Sequence, residues 1–334
     1  MAAFSLTGNG GDRARLGLHS RMASIDSSAR RDVDASLHFP AVFLSPHLDD
    51  AVFSCGGLIS RLSTQGRRPL VINVFSAASS DFKVATAPDD ARVAEEHVVS
   101  GYLGFHVRLV GELDAYFRSG AYRSLTGLFM AAPARYLGEL ERIRSLVAAS
   151  LRGIDYEVVY APLGIGWHVD HLLTHLAARA VVEPARLRFY EDAPYALLAH
   201  LQAYRLAELD PRCKRPAGST LRHAHRAARD YAGTAVMQAR LRPWLRPFAQ
   251  AVLDAWFYRL LRSRAGRIGG ELALEPQLED VTSALERKVH ACTLYRSQFP
   301  QFFGSAAECS ALLQAYSNGI GAGTGYWERY WTPR

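Results

Sequence analysis

The sequence predicts an α/β fold in which a mostly parallel sheet is flanked by helices. From residue 41 onward, short apolar runs alternate with stretches of helical pattern, the order expected when crossover helices join parallel strands. The 334 residues are 49% hydrophobic and 21% charged, which is enough apolar material to bury a large core. The 15 prolines and 26 glycines follow no period, and no long unit recurs, so collagen-like, solenoid and propeller folds are excluded.

The elements follow one another in a regular order. Short apolar runs are predicted to be strands at residues 41–45, 70–75, 106–110, 156–161 and 187–190. Longer segments between and after them are predicted to be helices, at residues 51–65, 90–103, 133–151, 169–182 and 278–298. The helix at 133–151 is amphipathic, with its apolar face formed by Leu137, Leu140, Ile143 and Val147. An aromatic tail at residues 326–331 ends the pattern.

Residues 1–38 are expected to be a flexible leader ahead of a single domain at residues 39–334. The leader contains acidic residues and arginines but no apolar stretch of signal-peptide length, so we expect neither secretion nor a membrane anchor. The four cysteines, Cys55, Cys213, Cys292 and Cys309, lie far apart and form no C-x-x-C pair. This usage favours a reducing cytoplasm over a disulfide framework.

An arginine-rich segment at about residues 196–270 interrupts the α/β alternation and is expected to be a helical insertion. Residues 195–270 contain 14 Arg and Lys against 4 Asp and Glu, a balance of +10 in a chain whose net charge is +7. Apolar and aromatic residues recur with helical spacing at 235–264, where Pro243 and Pro247 are expected to interrupt the helix.

Three interpretations of the insertion stay open. In the first, the insertion is a solvated helical hairpin. In the second, it is a lid that offers arginines to an acidic group of the substrate. In the third, it is an interfacial helix that binds near anionic lipid or a lipid-linked sugar. Nucleic-acid binding is disfavoured because no recognised module accompanies the charge.

Two short histidine and aspartate clusters each follow a predicted strand. His47-Leu48-Asp49-Asp50 comes after the strand at 41–45, and His168-Val169-Asp170-His171 after the strand at 156–161. Ligands of parallel sheets bind outside the carboxyl ends of the strands, so both clusters are expected to face one crevice. The plainer alternative is that these residues only cap helices. Capping requires no paired histidines, so a functional site is favoured.

Two imidazoles and a carboxylate form a three-ligand set for zinc that leaves one position open, as in catalytic sites. We predict that His47, Asp50 and His171 bind the metal, that Asp49 is the general base and that His168, held in one tautomer by Asp170, is the acid. His175, four residues after His171, is the reserve ligand.

These clusters resemble the hallmarks of the LmbE-like, or PIG-L, family of zinc-dependent N-deacetylases, A-H-P-D-D-E and H-P-D-H. Further similar segments surround Arg92, Leu113-Asp114-Ala115 with Arg118, residues 188–195 and residues 288–298. The resemblance covers about residues 40–300 and is weakest in the insertion. It implies a Rossmann-like fold, one Zn²⁺ per chain and the same roles for the ligands, Asp49 and His168. It also implies that Arg92 and Asp114 contact the substrate.

The sequence departs from the family pattern at four positions. Ala51 replaces the glutamate, Leu48 and Val169 replace prolines, and Gly166 stands where some relatives have a tyrosine that helps the oxyanion. The metal ligands survive these changes, whereas the orientation of the substrate is put in question.

The predicted function is removal of an N-acetyl group from an N-acetylglucosaminyl-type amino sugar in a glycoconjugate or specialised metabolite. Another divalent metal, a different amide or an ester as substrate, and a non-catalytic sugar- or lipid-binding relative are the alternatives. The protein is expected in the cytoplasm, and peripheral association with a membrane is the alternative.

Overall fold

The computed structural model describes residues 38–77, 89–265, 270–321 and 323–334. The described residues divide into two units: His38 with Gly153–Asp155 forms one, and the described residues of Phe39–Arg152 and Tyr156–Arg334 form the other. Within the first, His38 Nδ1 lies 2.7 Å from Asp155 Oδ2. The predicted leader falls outside the described residues, except for His38. The sheet and the candidate site belong to the second unit.

The described residues form one seven-stranded sheet. Its strands are β2 (Val42–Ser45), β3 (Leu70–Asn73), β4 (His106–Leu109), β6 (Val159–Pro162), β7 (Leu187–Tyr190), β8 (Leu274–Asp280) and β9 (Trp327–Pro333). Across the sheet their order is β4-β3-β2-β6-β7-β9-β8. Two further short strands are β1 (His38–Phe39) and β5 (Asp155–Tyr156). The first five strands of the sheet order are parallel, whereas β9 pairs antiparallel with both β7 and β8.

Helices connect and flank these strands. Their bounds are α1 (Asp50–Thr64), α2 (Asp89–Leu103), α3 (Ala115–Arg118), α4 (Leu125–Phe129), α5 (Pro133–Leu151), α6 (Val169–Val181), α7 (Leu201–Leu209), α8 (Thr220–Ala232), α9 (Ala235–Arg240), α10 (Arg246–Ala265), α11 (Leu285–Leu294), α12 (Phe299–Phe302) and α13 (Ala306–Gly319). Helix α1 packs against α11, and α5 packs against α6. Every residue of β2 and β3 is buried, as expected of parallel strands covered on both faces.

The order of the strands places a crevice beside β2. The chain passes from β2 outward to β3 and β4, then returns to β6 on the opposite side of β2. Val42 consequently pairs with Leu70 on one side and with Val159 on the other. At such a reversal the connections leave the strand ends in opposite directions, which opens a crevice at the carboxyl ends. The loops that follow β2 and β6 therefore meet there, as the sequence predicts.

A buried ion pair joins α11 to the C-terminal strand β9, and the same carboxylate binds the backbone of α1. Lys288 Nζ of α11 lies 2.8 Å from Glu328 Oε1 of β9, and both side chains are almost fully buried. Glu328 also accepts hydrogen bonds from the backbone N–H groups of Gly57 and Leu58. A Cβ atom at Gly57 would lie 2.7 Å from Glu328 Oε1, so this close approach requires glycine.

The C-terminal part of the chain differs from the sequence-based expectation. The predicted helix at 278–298 is wrong over its first residues, which belong to β8, and α11 begins at Leu285. The aromatic tail is the antiparallel strand β9. Strand β8 is polar and mostly exposed, so its pairing depends on β9 rather than on an apolar pattern of its own.

The insertion is helical, as predicted, and comprises α7 to α10. Helix α8 packs along α10, with its fully buried Ala224, Ala227 and Ala228 permitting close approach. The chain breaks between α9 and α10 near Pro243, but Pro247 lies in the first turn of α10, where proline is tolerated, and does not interrupt it. No helix in the described part of the chain is both long and apolar enough to cross a bilayer.

Candidate metal centre and active site

Both clusters lie where helices begin beside the crevice. Asp49 is the N-cap residue of α1, and His168 is the N-cap residue of α6. The Asp49 side chain caps no backbone N–H of its helix, whereas His168 Nδ1 accepts a hydrogen bond from the Asp170 backbone N–H at 3.3 Å. Helix capping thus accounts for one contact of His168 but leaves the buried Asp49 carboxylate unexplained.

His47, Asp50 and His171 form a compact group. Asp50 Oδ2 lies 3.0 Å from His47 Nδ1 and 3.3 Å from His171 Nε2. One ligand atom from each residue lies within 4.8 Å of the others, so the group could hold a metal ion. Zinc–ligand distances of about 2.0–2.1 Å in a tetrahedron separate the ligand atoms by roughly 3.4 Å, close to the two contacts with Asp50.

His171 is oriented by a carboxylate behind it. Its Nδ1 lies 2.7 Å from Asp192 Oδ1, and Asp192 Oδ2 accepts hydrogen bonds from the N–H groups of Gly164 and Ile165. Metal-binding histidines commonly have such a partner, which fixes the tautomer and leaves the other nitrogen free to bind. Nε2 of His171 therefore faces Asp50 as an available ligand atom.

A second group of three candidate ligands shares His47 with the first. His47, His168 and Asp170 also lie within 4.8 Å of one another. The Asp170 carboxylate already contacts Arg118 Nη2 at 2.7 Å and the Ala115 backbone N–H at 2.9 Å, besides His47 Nε2 at 3.1 Å. This guanidinium neutralises Asp170, so the group with Asp50 is the better cation site.

The cluster is rich in buried carboxylates that favour positive charge nearby. Burial lowers the pKa of His47, but Asp170, Asp50 and Asp114 outweigh it and hold that pKa well above its usual value. Burial likewise lowers the pKa of His171, yet Asp50 and Asp192 raise it to about 9. Burial raises the pKa of Asp50, but the two histidines bring it well below its ordinary value. A bound divalent cation would satisfy the same negative potential.

Asp49 differs from Asp50 in its electrostatic surroundings. Burial and the neighbouring Asp50 charge raise the pKa of Asp49 to about 7, although Arg92 and His47 oppose the shift. His168 is the opposite case, because burial lowers its pKa to about 4 despite the charge of Asp170. Its imidazole is therefore neutral, and with Nδ1 accepting, Nε2 carries the proton. Asp170 contacts this imidazole through its backbone N–H, which donates to Nδ1.

The two predicted substrate contacts border the same cluster. Asp114 Oδ2 lies 3.4 Å from His47 Nε2, while its Oδ1 accepts from the Tyr116 backbone N–H at the start of α3. Arg92 interacts electrostatically with Asp49, and its buried Nε has no hydrogen-bond partner in the described structure. All eight predicted site residues thus adjoin the crevice, and their individual roles stay predictions.

The reserve ligand lies apart from both groups. His175 Nδ1 lies 2.9 Å from the carbonyl oxygen of Pro162, and its ring packs on Phe189 with 4.5 Å between the centroids. Burial lowers its pKa well below the usual value. Neither of the two candidate ligand groups of the described chain includes it.

Three further residues shape the site without having been assigned by the sequence. Asp192 orients His171, and Tyr195 packs on the His171 ring at a centroid distance of 5.7 Å. Phe129 packs on His168 at 5.3 Å. Gly166 has a φ of +84°, and a Cβ atom there would lie 2.6 Å from Tyr195 Cγ, so the Tyr195 ring takes the space of a side chain at 166. Asp192 lies two residues after the end of β7, and this position at the same edge of the sheet was its signal in the sequence.

The part of the chain that holds the site is similar to known proteins. Residues 42–182 match the PIG-L family model, described as GlcNAc-PI de-N-acetylase. The chain is 33% identical over 164 residues to 2'-N-acetylparomamine deacetylase of Streptomyces fradiae, a match that covers 46% of this chain and 57% of that protein. It therefore spans little more than half of this curated relative's length.

Solved structures share the fold. The crystal structure of A40926 pseudoaglycone deacetylase superposes with a TM-score of 0.56 at 21% identity, covering 88% of this chain and 97% of that one. The zinc-inhibited form of teicoplanin deacetylase superposes with a TM-score of 0.58 at 18% identity, covering 89% and 97%. The stretch at residues 42–182 that matches the PIG-L family model contains both ligand clusters.

Proposed function

We propose that this protein is a zinc-dependent hydrolase that removes an N-acetyl group from an amino sugar. The observation that carries the proposal is the group formed by His47, Asp50 and His171, with the uncapped Asp49 carboxylate next to it in the chain. Two imidazoles and one carboxylate suit zinc in catalytic sites, and Asp192 leaves His171 Nε2 free to bind. We propose one Zn²⁺ per chain, with another divalent metal as the competing outcome.

The bound metal would supply Lewis acidity, which acidifies water and polarises the amide carbonyl. Asp49 accepts a proton from the attacking water as its oxygen bonds to the carbonyl carbon. His168 donates a hydrogen bond from Nε2–H to the carbonyl oxygen as negative charge develops there. The C–N bond then breaks, the proton held by Asp49 passes to the amine nitrogen, and acetate and the free amino sugar leave.

The substrate is proposed to be a sugar of an aminoglycoside or glycopeptide type. Two similar proteins support this class, because one is named for N-acetylparomamine and the other for the A40926 pseudoaglycone. Arg92 and Asp114 border the metal group and offer a hydrogen-bond donor and an acceptor to sugar hydroxyls. Such polar contacts would orient the amine side of the amide.

We further propose a cytoplasmic location, supported by the cysteines. Cys55, Cys213, Cys292 and Cys309 are all free thiols in the structure. Peripheral association with a membrane through the insertion is the variant of this proposal. Exposed Trp244 and Phe248 among its arginines support that variant.

The test combines metal analysis with acetate release from a panel of N-acetylglucosaminyl compounds. We expect one zinc per chain, turnover of at least one compound, and loss of turnover in Asp49→Asn with the metal retained. Asp254→Asn, a partly exposed carboxylate of α10, is the matched control and should keep full activity. Protein without bound metal and without turnover of any acylated amine or ester would support a non-catalytic binding protein instead.

A further inference from the structure

A large apolar cavity adjoins the candidate active site. Its volume is about 290 Å³, and its wall is mostly aliphatic and aromatic. Phe129, Gly166 and Tyr195 belong to this wall. The same Phe129 packs on His168, and the same Tyr195 packs on His171, so one wall of the cavity is also a wall of the reaction centre.

The arginine-rich insertion supplies much of the remaining wall. Trp256, Phe257 and Leu260 of α10 line the cavity, and Phe129 meets the Trp256 ring at a centroid distance of 5.8 Å. Phe257 and Leu260 are almost fully buried. Phe302 of α12 and Leu312 of α13 also line the cavity. Despite its net positive charge, the insertion therefore presents an apolar surface to the inside of the protein.

An acetyl group is too small for this cavity. A dry cavity of about 150 Å³ binds benzene, so 290 Å³ has room for about twice as many carbon atoms. The acetyl methyl group would occupy one end and leave most of the apolar wall without a partner. An aliphatic chain of about six to ten carbons would match the volume.

The distribution of polar groups indicates which side of the amide enters the cavity. Arg92 and Asp114 border the metal group but do not line the cavity. A sugar needs hydrogen-bond donors and acceptors, which those two residues offer and the cavity wall mostly lacks. An acyl chain needs neither, and its first carbon is bonded directly to the reacting carbonyl.

We propose that the cavity binds the acyl chain of the substrate, so that the enzyme accepts N-acyl amino sugars in general and cleaves those with aliphatic chains of about six to ten carbons faster than the N-acetyl compounds. This inference rests on the hydrolysis proposed above. Water supplies the oxygen that bonds to the acyl carbon, the C–N bond breaks, and the proton reaches the amine. A medium-chain carboxylate leaves in place of acetate.

The test is a chain-length series of N-acylglucosamines from N-acetyl to N-octanoyl. The value of kcat/KM is expected to rise at least about 30-fold from N-acetyl to N-octanoyl. Complete burial of each added methylene would give roughly fourfold per methylene, so this expectation is a lower bound. Affinity measured by calorimetry on the metal-free protein should rise in parallel, which tests the cavity even if nothing is turned over. If no compound is turned over but affinity rises with chain length, the proposed hydrolysis is wrong and the cavity assignment stands. If affinity does not change with chain length, the cavity assignment is wrong.

Variants that fill the cavity test whether the acyl chain binds there. Leu253→Trp is expected to lower the affinity for N-octanoylglucosamine, relative to that for N-acetylglucosamine, at least about tenfold. The affinity for N-acetylglucosamine itself should not change. Met237→Trp fills the cavity from α9 and serves if the first variant does not fold. Leu221→Trp is the matched control, because Leu221 is exposed on α8 and lies outside the cavity.

The octyl glycoside of N-acetylglucosamine separates the two sides of the amide. If that compound gains affinity and N-octanoylglucosamine does not, the cavity holds the amine-side substituent, and the acyl assignment is wrong. If Leu253→Trp and Met237→Trp both keep the preference for N-octanoylglucosamine, the acyl assignment is also wrong.

Discussion

The carboxylate of Asp192 bridges His171 Nδ1, at 2.7 Å, to the backbone N–H groups of the loop that follows β6. The imidazole is thereby held with Nε2 toward Asp50. We predict that Asp192→Asn weakens zinc binding about 10- to 100-fold, the range seen when such partners of metal-binding histidines are replaced. Competition with a chromogenic chelator measures this change. Asp254→Asn should bind zinc like the unaltered protein, and equal affinity in Asp192→Asn would contradict the proposed role.

Asp49 is predicted to act in proton transfer and not in binding the metal. Its carboxylate makes no capping hydrogen bond, and His47, Asp50 and His171 form a complete ligand group without it. Asp49→Asn should therefore lower kcat about 10²- to 10⁴-fold while zinc content stays at one per chain. Loss of the metal together with activity would instead make Asp49 a ligand.

His168 is predicted to assist the developing oxyanion through Nε2–H. His168→Ala should lower kcat about 10²- to 10³-fold, the cost of removing one such donor, and change KM little. Single-turnover kinetics with saturating substrate measure the effect on the chemical step. A variant in which only KM rises would assign His168 to substrate binding.

The ion pair between Lys288 and Glu328 is predicted to stabilise the fold. Lys288→Met leaves a buried carboxylate without its charged partner and should lower the free energy of unfolding by about 3–5 kcal/mol. Urea unfolding followed by circular dichroism measures the loss. The double variant with Glu328→Gln should recover part of it, since no unpaired charge is then buried. A single variant as stable as the parent protein would contradict this account.

Membrane association through the insertion has its own test. Trp244 and Phe248 are each 71% exposed, and the adjacent arginines would favour anionic lipid. We predict that co-sedimentation with vesicles of anionic lipid falls at least about tenfold when both aromatic residues are replaced by serine. Leu221→Ser, on the exposed surface of α8, is the control. If the parent protein stays in the supernatant, the interfacial interpretation is wrong.

Local patterns allowed much of the parallel sheet to be predicted. The apolar runs of β2 and β3 are short and fully buried, and β7 is buried except at Arg188, so their composition marks them as strands. His47 lies two residues after β2 and His168 six residues after β6, and the strand order then brings the two clusters together. For this reason the candidate ligands could be named from the sequence.

Features that depend on distant partners could not be predicted. Strand β8 has no apolar alternation, and only its pairing with β9 makes it a strand. The link between Asp192 and His171 depends on the parallel register of β6 and β7, which a single sequence does not display. The cavity likewise arises only when the insertion packs over the site, although its helices and aromatic residues were predicted.

The contact between Gly166 and the Tyr195 ring makes these two positions interdependent. A side chain at 166 cannot enter unless the tyrosine withdraws, because a Cβ atom there would lie 2.6 Å from Tyr195 Cγ. A tyrosine introduced at 166 alone would therefore collide, whereas the same change paired with a small residue at 195 would have room. We expect residues 166 and 195 to covary among related sequences. A relative with an aromatic residue at the position of Gly166 should have a small residue at the position of Tyr195.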